Sequence, residues 1–139
     1  MGMDENERIF LHHLPIFNEG QVDLVDKIIS PDYVYHLPDG GTLQGPEGFK
    51  KLVRMTREAF PDIHYEFDGI VGEGEWVIGL YTMMATHTGD FLGVPATGQK
   101  VEMKEAYCCR IDNKKEVEAI TYNDMLTFSG QVSVTPPLP

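Results

Sequence analysis

The chain has 139 residues, 42% of them hydrophobic, which is one domain's worth of sequence and enough to bury a single core. Eleven Lys and Arg stand against 22 Asp and Glu, a formal net charge of -11. That negative field repels phosphate backbones and anionic membrane surfaces, so neither nucleic acid nor membrane is expected as a partner.

The start, MGMDENERIF, has neither the basic segment nor the apolar run of a secretory signal, and no apolar stretch reaches the roughly 18 residues of a membrane span. A soluble, cytoplasmic protein is expected. Ile9, Phe10, His13, Leu14 and Phe17 recur at helical spacing and predict a helix from Asp4 to Asn18, ended by Glu19-Gly20. A second short helix is predicted over Val22 to Ile29, then a strand over Tyr33 to Leu37 and a turn at Pro38-Asp39-Gly40-Gly41. Gly45-Pro46-Glu47 opens a third helix, with Phe49, Leu52, Val53, Thr56 and Phe60 on one side and Pro61 as its stop.

From Asp62 the period changes to two. Ile63, Tyr65 and Phe67 alternate with His64, Glu66 and Asp68, and Gly72-Glu73-Gly74-Glu75 makes a turn. Trp76 to Thr86, Lys100 to Ile111 and Glu116 to Phe128 read as further strands. Three helices followed by four long antiparallel strands describe an α+β domain whose sheet curls around the helices. The domain is expected to span residues 1–133, with a loose, proline-rich tail over 134–139. Between the two longest strands, Phe91, Leu92 and Val94 of THTGDFLGVPATG are expected to pack down onto the domain or a partner subunit.

An ionisable group on the apolar face of a strand is informative, because burial raises a carboxylate's pKa and makes it a usable acid or base. Val101, Met103, Glu105, Tyr107, Cys109 and Ile111 share one face, so Glu105 falls within an apolar series. Ile120, Tyr122 and Asp124 share a face of the last strand, which places Asp124 near the core if that register holds. Each carboxylate is either a functional acid/base or a hydrogen-bonded structural group. His36 and His87 stand at strand ends, where rims shape cavity mouths, whereas His12, His13 and His64 read as surface or packing residues. Met103, Tyr81, Tyr107 and Tyr122, with Glu105, would suit the wall of a pocket for a small hydrophobic or aromatic molecule, and equally a core.

No H-E-x-x-H or cysteine cluster supports a metal, and no G-x-S-x-G, P-loop or G-x-G-x-x-G pattern supports a serine hydrolase, nucleotide or dinucleotide site. The expectation is therefore no metal and no cofactor. Cys108 and Cys109 are adjacent and point to opposite strand faces, which reads as free thiols in a reducing compartment.

Gly45-Pro46-Glu47-Gly48, Ala59-Phe60-Pro61-Asp62 and the stretch THTGDFLGVPATG together resemble the SnoaL-like polyketide cyclase family, within the nuclear transport factor 2-like superfamily. The resemblance runs from about Pro31 to Leu126. It implies a conical cavity between a curved sheet and three helices, a homodimer packed sheet against sheet, and ring closure by intramolecular aldol condensation without metal or cofactor. It also implies that Asp124 is the acid/base and aligns His36 and His87 with family histidines. Ile120, Lys114 and Ala96 depart from the family's usual tryptophan, glycine and proline. On this reading Asp124 removes a proton next to a carbonyl while His36, Tyr107 or Tyr122 donates to the enolate oxygen, an apparatus that serves aldol cyclisation, double-bond isomerisation or dehydration. The alternative is a non-catalytic binding or dimerisation module, which a cavity filled by side chains or an Asp124 turned to solvent would put in place of the enzyme.

Overall fold

The computed structural model describes residues 4–38, 40–91 and 93–132. Asp39, Leu92 and the tail at 134–139 lie outside them. In place of one helix over Asp4 to Asn18 there are two, α1 (Glu5–Phe10) and α2 (His13–Glu19). Pro15 is the reason. It has no N–H for a helical bond and its ring would clash with the preceding turn, so the chain breaks at Leu11 and His12 and leaves Pro15 in the first turn of α2. Asp4 and Glu7 cap α1 reciprocally, and Gly20, at φ 72°, closes α2.

A 3₁₀ turn (Val22–Leu24) and α3 (Val25–Ile28) replace the second predicted helix, and β1 begins early, spanning Ile29–His36. Three-residue β2 (Thr42–Gln44) is too short to show alternation. Then come α4 (Gly45–Ala59), β3 (His64–Glu73), β4 (Trp76–Thr86) and β5 (Lys100–Asp112), close to where the sequence puts them. The final strand differs: β6 (Lys115–Asn123) stops at Asn123, and α5 (Met125–Gln131) follows.

The six strands form one sheet in the order β2-β1-β6-β5-β4-β3, all pairs antiparallel except β1 with β6. The four N-terminal helices and the inner face of the sheet bury one apolar cluster around Phe10, Phe49, Tyr33 and Val77. A second cluster, Phe60, Met83, Met103 and Phe128 among others, fills the far end. None of the described helices is long and apolar enough to cross a membrane. On the outer face Trp76, Ile78, Leu80 and Tyr122 are exposed, with Val71 on β3 beside Ile78.

Parity decides which side chains enter the domain. In β6 a register shift falls between Glu116, paired with Ile111, and Glu118, paired with Arg110, so one residue, Val117, is extra. Glu116 is thereby buried, Glu118 faces out to Arg110, and Tyr107↔Thr121 and Glu105↔Asn123 become the inward pairs.

Gly79 in β4 is where α1 docks. A Cβ there would lie 2.1 Å from the ring of fully buried Phe10. Gly79→Ala therefore lowers unfolding free energy by about 1–3 kcal/mol, as overpacking does. Urea denaturation checks this, and an unmoved midpoint refutes the docking argument.

Candidate active site

A cavity of about 110 Å³ opens at the seam between the two apolar clusters. Phe17, Leu52, Phe60, Met83, Phe91 and Met103 supply apolar wall; His13, Tyr35, Tyr65, Tyr81, Glu105, Tyr107, Thr121 and Asn123 supply the polar groups. Neither Lys nor Arg is among its described lining residues.

One polar pole is built on β4 and β5. Glu105 and Tyr81 are direct cross-strand neighbours facing inward. Asn123 donates from Nδ2 to Glu105 Oε1 at 3.2 Å, while Glu105 Oε2 and the Tyr81 hydroxyl are buried without a partner among the described residues. Burial pushes the Glu105 carboxyl up from 4.5 to about 7, against a smaller lowering by the Tyr65 hydroxyl. Burial likewise holds the Tyr81 phenol far above its ordinary range, so it is a neutral donor. An unpaired carboxyl oxygen that titrates near neutrality beside an unpaired hydroxyl can exchange a proton and bind the oxygen on which charge develops.

The other pole is the floor. Glu116 is fully buried, with His13 Nε2 bonded to its Oε2 and the Tyr107 hydroxyl donating to its Oε1 at 2.9 Å. The hydroxyls of Tyr33 and Tyr107 lie 2.8 Å apart. Burial first, and then the Glu116 charge, hold the Tyr107 phenol and the Cys109 thiol protonated, which removes Cys109 as a nucleophile.

Glu105, Tyr81, Tyr107 and Met103 thus stand on the cavity wall. Four other candidates are elsewhere. Asp124 lies one residue beyond β6, exposed, and caps α5 by accepting from the Thr127 amide (3.1 Å) and hydroxyl (2.6 Å); those bonds lower its pKa rather than raise it. The expected burial of Asp124 fails because the β6 register turns Ile120 and Tyr122 outward. Tyr122 is 61% exposed on the outer face. His36 follows inward Tyr35 in strand alternation, so it points outward and meets Glu118 at 3.1 Å. His87 is fully buried but behind the wall, its ring against Phe60 and Phe128 and its Nδ1 at 3.1 Å from Thr97 Oγ1. Sequence reading missed His13, Glu116, Tyr65 and Asn123 as site residues. His13 was legible, since it shares the apolar stripe of Phe10, Leu14 and Phe17; Glu116 was not, because only the bulge brings it inside.

The curved six-stranded sheet closed by helices over an inner cavity is the architecture of the nuclear transport factor 2-like α+β barrels. TsrD from Streptomyces laurentii superposes with a TM-score of 0.84 at 22% identity, covering 96% of this chain and all of that one. IdmH from Streptomyces antibioticus superposes with a TM-score of 0.80 at 28% identity, covering 94% and 100%. Residues 8–132 match the SnoaL-like polyketide cyclases, and the chain belongs to that family. Among its relatives, the nogalonic acid methyl ester cyclase of Streptomyces nogalater is 31% identical over 101 residues, 71% of this chain and 75% of that one. The aklanonic acid methyl ester cyclase DauD of Streptomyces sp. (strain C5) is 27% identical over 129 residues, 88% and 78%.

The raised Glu105 carboxyl has a stability signature. The folded chain holds its proton more tightly than the unfolded chain, so the contribution is fully present below about pH 4.5 and is lost as pH rises through about 7. The displacement corresponds to on the order of 3 kcal/mol. Glu105→Gln is therefore expected to remove much of the fall in unfolding free energy between pH 5 and pH 8, read from urea titrations; identical slopes for the two proteins contradict the assignment.

Proposed function

We propose that the chain is a ring-closing enzyme of the aldol type in which Glu105, not Asp124, is the acid/base. The placing of Glu105 Oε2 and the Tyr81 hydroxyl, two buried polar atoms without partners among the described residues, on directly opposed residues carries this reading. Glu105 takes a proton from the carbon next to a carbonyl, and Tyr81 donates a hydrogen bond to the enolate oxygen that forms. The carbanion adds to a second carbonyl of the same molecule, closing a carbon–carbon bond. The alkoxide produced takes back the proton from Glu105, so charge and protons balance over the cycle.

The substrate on this reading is a neutral ester. A free carboxylate would meet no Lys or Arg in the lining and would face Glu105 instead. The relatives named as methyl ester cyclases act in keeping with that. With aklanonic acid methyl ester as substrate and the cyclised isomer followed by chromatography, Glu105→Gln lowers turnover at least about a hundredfold and Tyr81→Phe by about tenfold to a hundredfold, while Asp124→Asn leaves it unchanged. Wild-type turnover by Glu105→Gln would falsify the assignment. A second reading, binding without turnover, draws on the exposure of Asp124. It prevails if the wild-type protein binds the ester and returns it unaltered.

The working form on this reading is a homodimer joined through the outer sheet face, where Ile78 and Leu80 on β4 and Tyr122 on β6 stand exposed to either side of β5. Sedimentation velocity is expected to give a dimer for the wild type and a monomer for Ile78→Glu/Leu80→Glu. A wild-type monomer at tens of micromolar ends that proposal.

A further inference from the structure

The two oxygens of the Glu105 carboxyl are not equivalent. Oε1 accepts from Asn123 Nδ2 at 3.2 Å, whereas Oε2 is buried without a partner among the described residues. Asn123 is the last residue of β6, and the bulge at Val117 sets the parity that turns it to the cavity directly across from Glu105. The ladder with β5 holds on both sides of it: Tyr122 pairs with Ala106, and the Asp124 amide donates to the Lys104 carbonyl at 3.1 Å. The amide group is thus delivered to Oε1 by a backbone that has no slack.

An amide nitrogen donates and does not accept. Oε1 therefore keeps its bond in both protonation states of Glu105, and in the protonated acid it is the carbonyl oxygen, the better acceptor. Turning the Asn123 amide over would bring its Oδ1 to Oε1, which suits one state only, because lone pairs would meet once Glu105 ionised. A hydroxyl at this position could donate or accept and would leave the proton free to sit on either oxygen. We propose that Asn123 is a positioning residue for Glu105, holding Oε1 as a permanent acceptor and so confining the exchangeable proton to Oε2. The inference rests on the function proposed above, for it assigns the atom that takes the proton from carbon and returns it to the alkoxide. A single delivering atom on a braced carboxyl meets the substrate in one geometry, which is what proton transfer from carbon requires.

The test reads Glu105 itself and needs no substrate. In infrared spectra of the full chain, the C=O stretch of protonated Glu105 is isolated as the difference between proteins with and without Glu105→Gln. In Asn123→Leu, similar in volume but without a donor, this band is expected to move to higher wavenumber, because the carbonyl has lost its hydrogen bond. The midpoint at which the band disappears on raising the pH is about 7 in the wild type and is expected to rise by about one unit, because the lost donor favoured the ionised form. The other titratable groups around Glu105 are Tyr65 of β3, Tyr81 of β4, Tyr35 of β1 and, across the cavity, Tyr107 and His13 with Glu116 behind them. All are common to both proteins, so the displacements report the amide. Asn123→Ala removes the same donor and decides the matter should Asn123→Leu fold poorly. A band that stays in place overturns the proposal, since the amide then does not bond the carbonyl oxygen; so does an unmoved midpoint, since Oε1 is then no acceptor in the ionised state. Wild-type turnover by Glu105→Gln bears on the chemistry alone and leaves both readings intact. Where that chemistry holds, the rise of kcat with pH moves in Asn123→Leu by the same amount as the midpoint.

Discussion

The contact on which the domain turns is the buried pair of Glu116 and His13. A carboxylate removed from water must find a compensating group and have both oxygens satisfied, or the fold loses several kcal/mol. Here α2 supplies the imidazole, β5 supplies the Tyr107 hydroxyl, and β1 supports Tyr107 through Tyr33. Four elements are tied at one point by bonds that have direction, which apolar packing lacks. Phe10 then stacks on His13 at 4.8 Å and seats over Gly79, so the position of α1 follows from that of α2.

The same tie explains why a cavity persists where two apolar clusters meet. Close packing favours collapse of such a seam. Collapse would require His13, Tyr107 and Tyr35 to move inward, yet each is held outward by a hydrogen bond to Glu116 or Thr121. The space therefore stays open over a polar floor. Glu105 sits above it, where burial keeps its proton exchangeable in the neutral range. A Lys or Arg in the wall would have held that carboxyl ionised and removed it as an acid.

Most of the architecture was legible because α4, β4 and β5 follow one period without interruption. The inward series Val101 to Ile111 placed Glu105, Tyr107 and Met103 correctly from alternation alone. Reading failed in β6, where the bulge at Val117 shifts the pleat by one residue and puts polar Thr121 and Asn123 inside with apolar Ile120 and Tyr122 outside. An alternation rule that sends apolar residues inward must invert such a strand. The outer face carries apolar side chains as well, and this misled the placement of Asp124. The capping pattern of Asp124 with Thr127 was visible in the sequence and was the better guide, because a short acidic side chain before a helix satisfies an amide that would otherwise lack a partner. Pro15 offered a comparable signal within the first helix.

The stretch THTGDFLGVPATG bears the strongest family resemblance, yet its histidine lies behind the cavity wall. Its work is architectural. Thr88 and Gly89 amides donate to the Ala59 carbonyl, and Gly89 lies so close to the end of α4 that a Cβ would come within 2.5 Å of the Glu58 oxygen. The His87 amide donates to the Gln99 carbonyl, and its own carbonyl accepts from Thr97 and Gly98, so the loop's two ends are clamped together. Between them Phe91, paired with Val94 across Gly93, packs on Phe60 and Phe128 and lines the cavity. The stretch is a roof joined to α4 and α5. A roof constrains shape and can be reused over different cavity chemistries, whereas the reacting groups need only occupy inward positions on β4 and β5. The resemblance accordingly identifies the family and the enclosure, and the function proposed above rests instead on Glu105 and Tyr81.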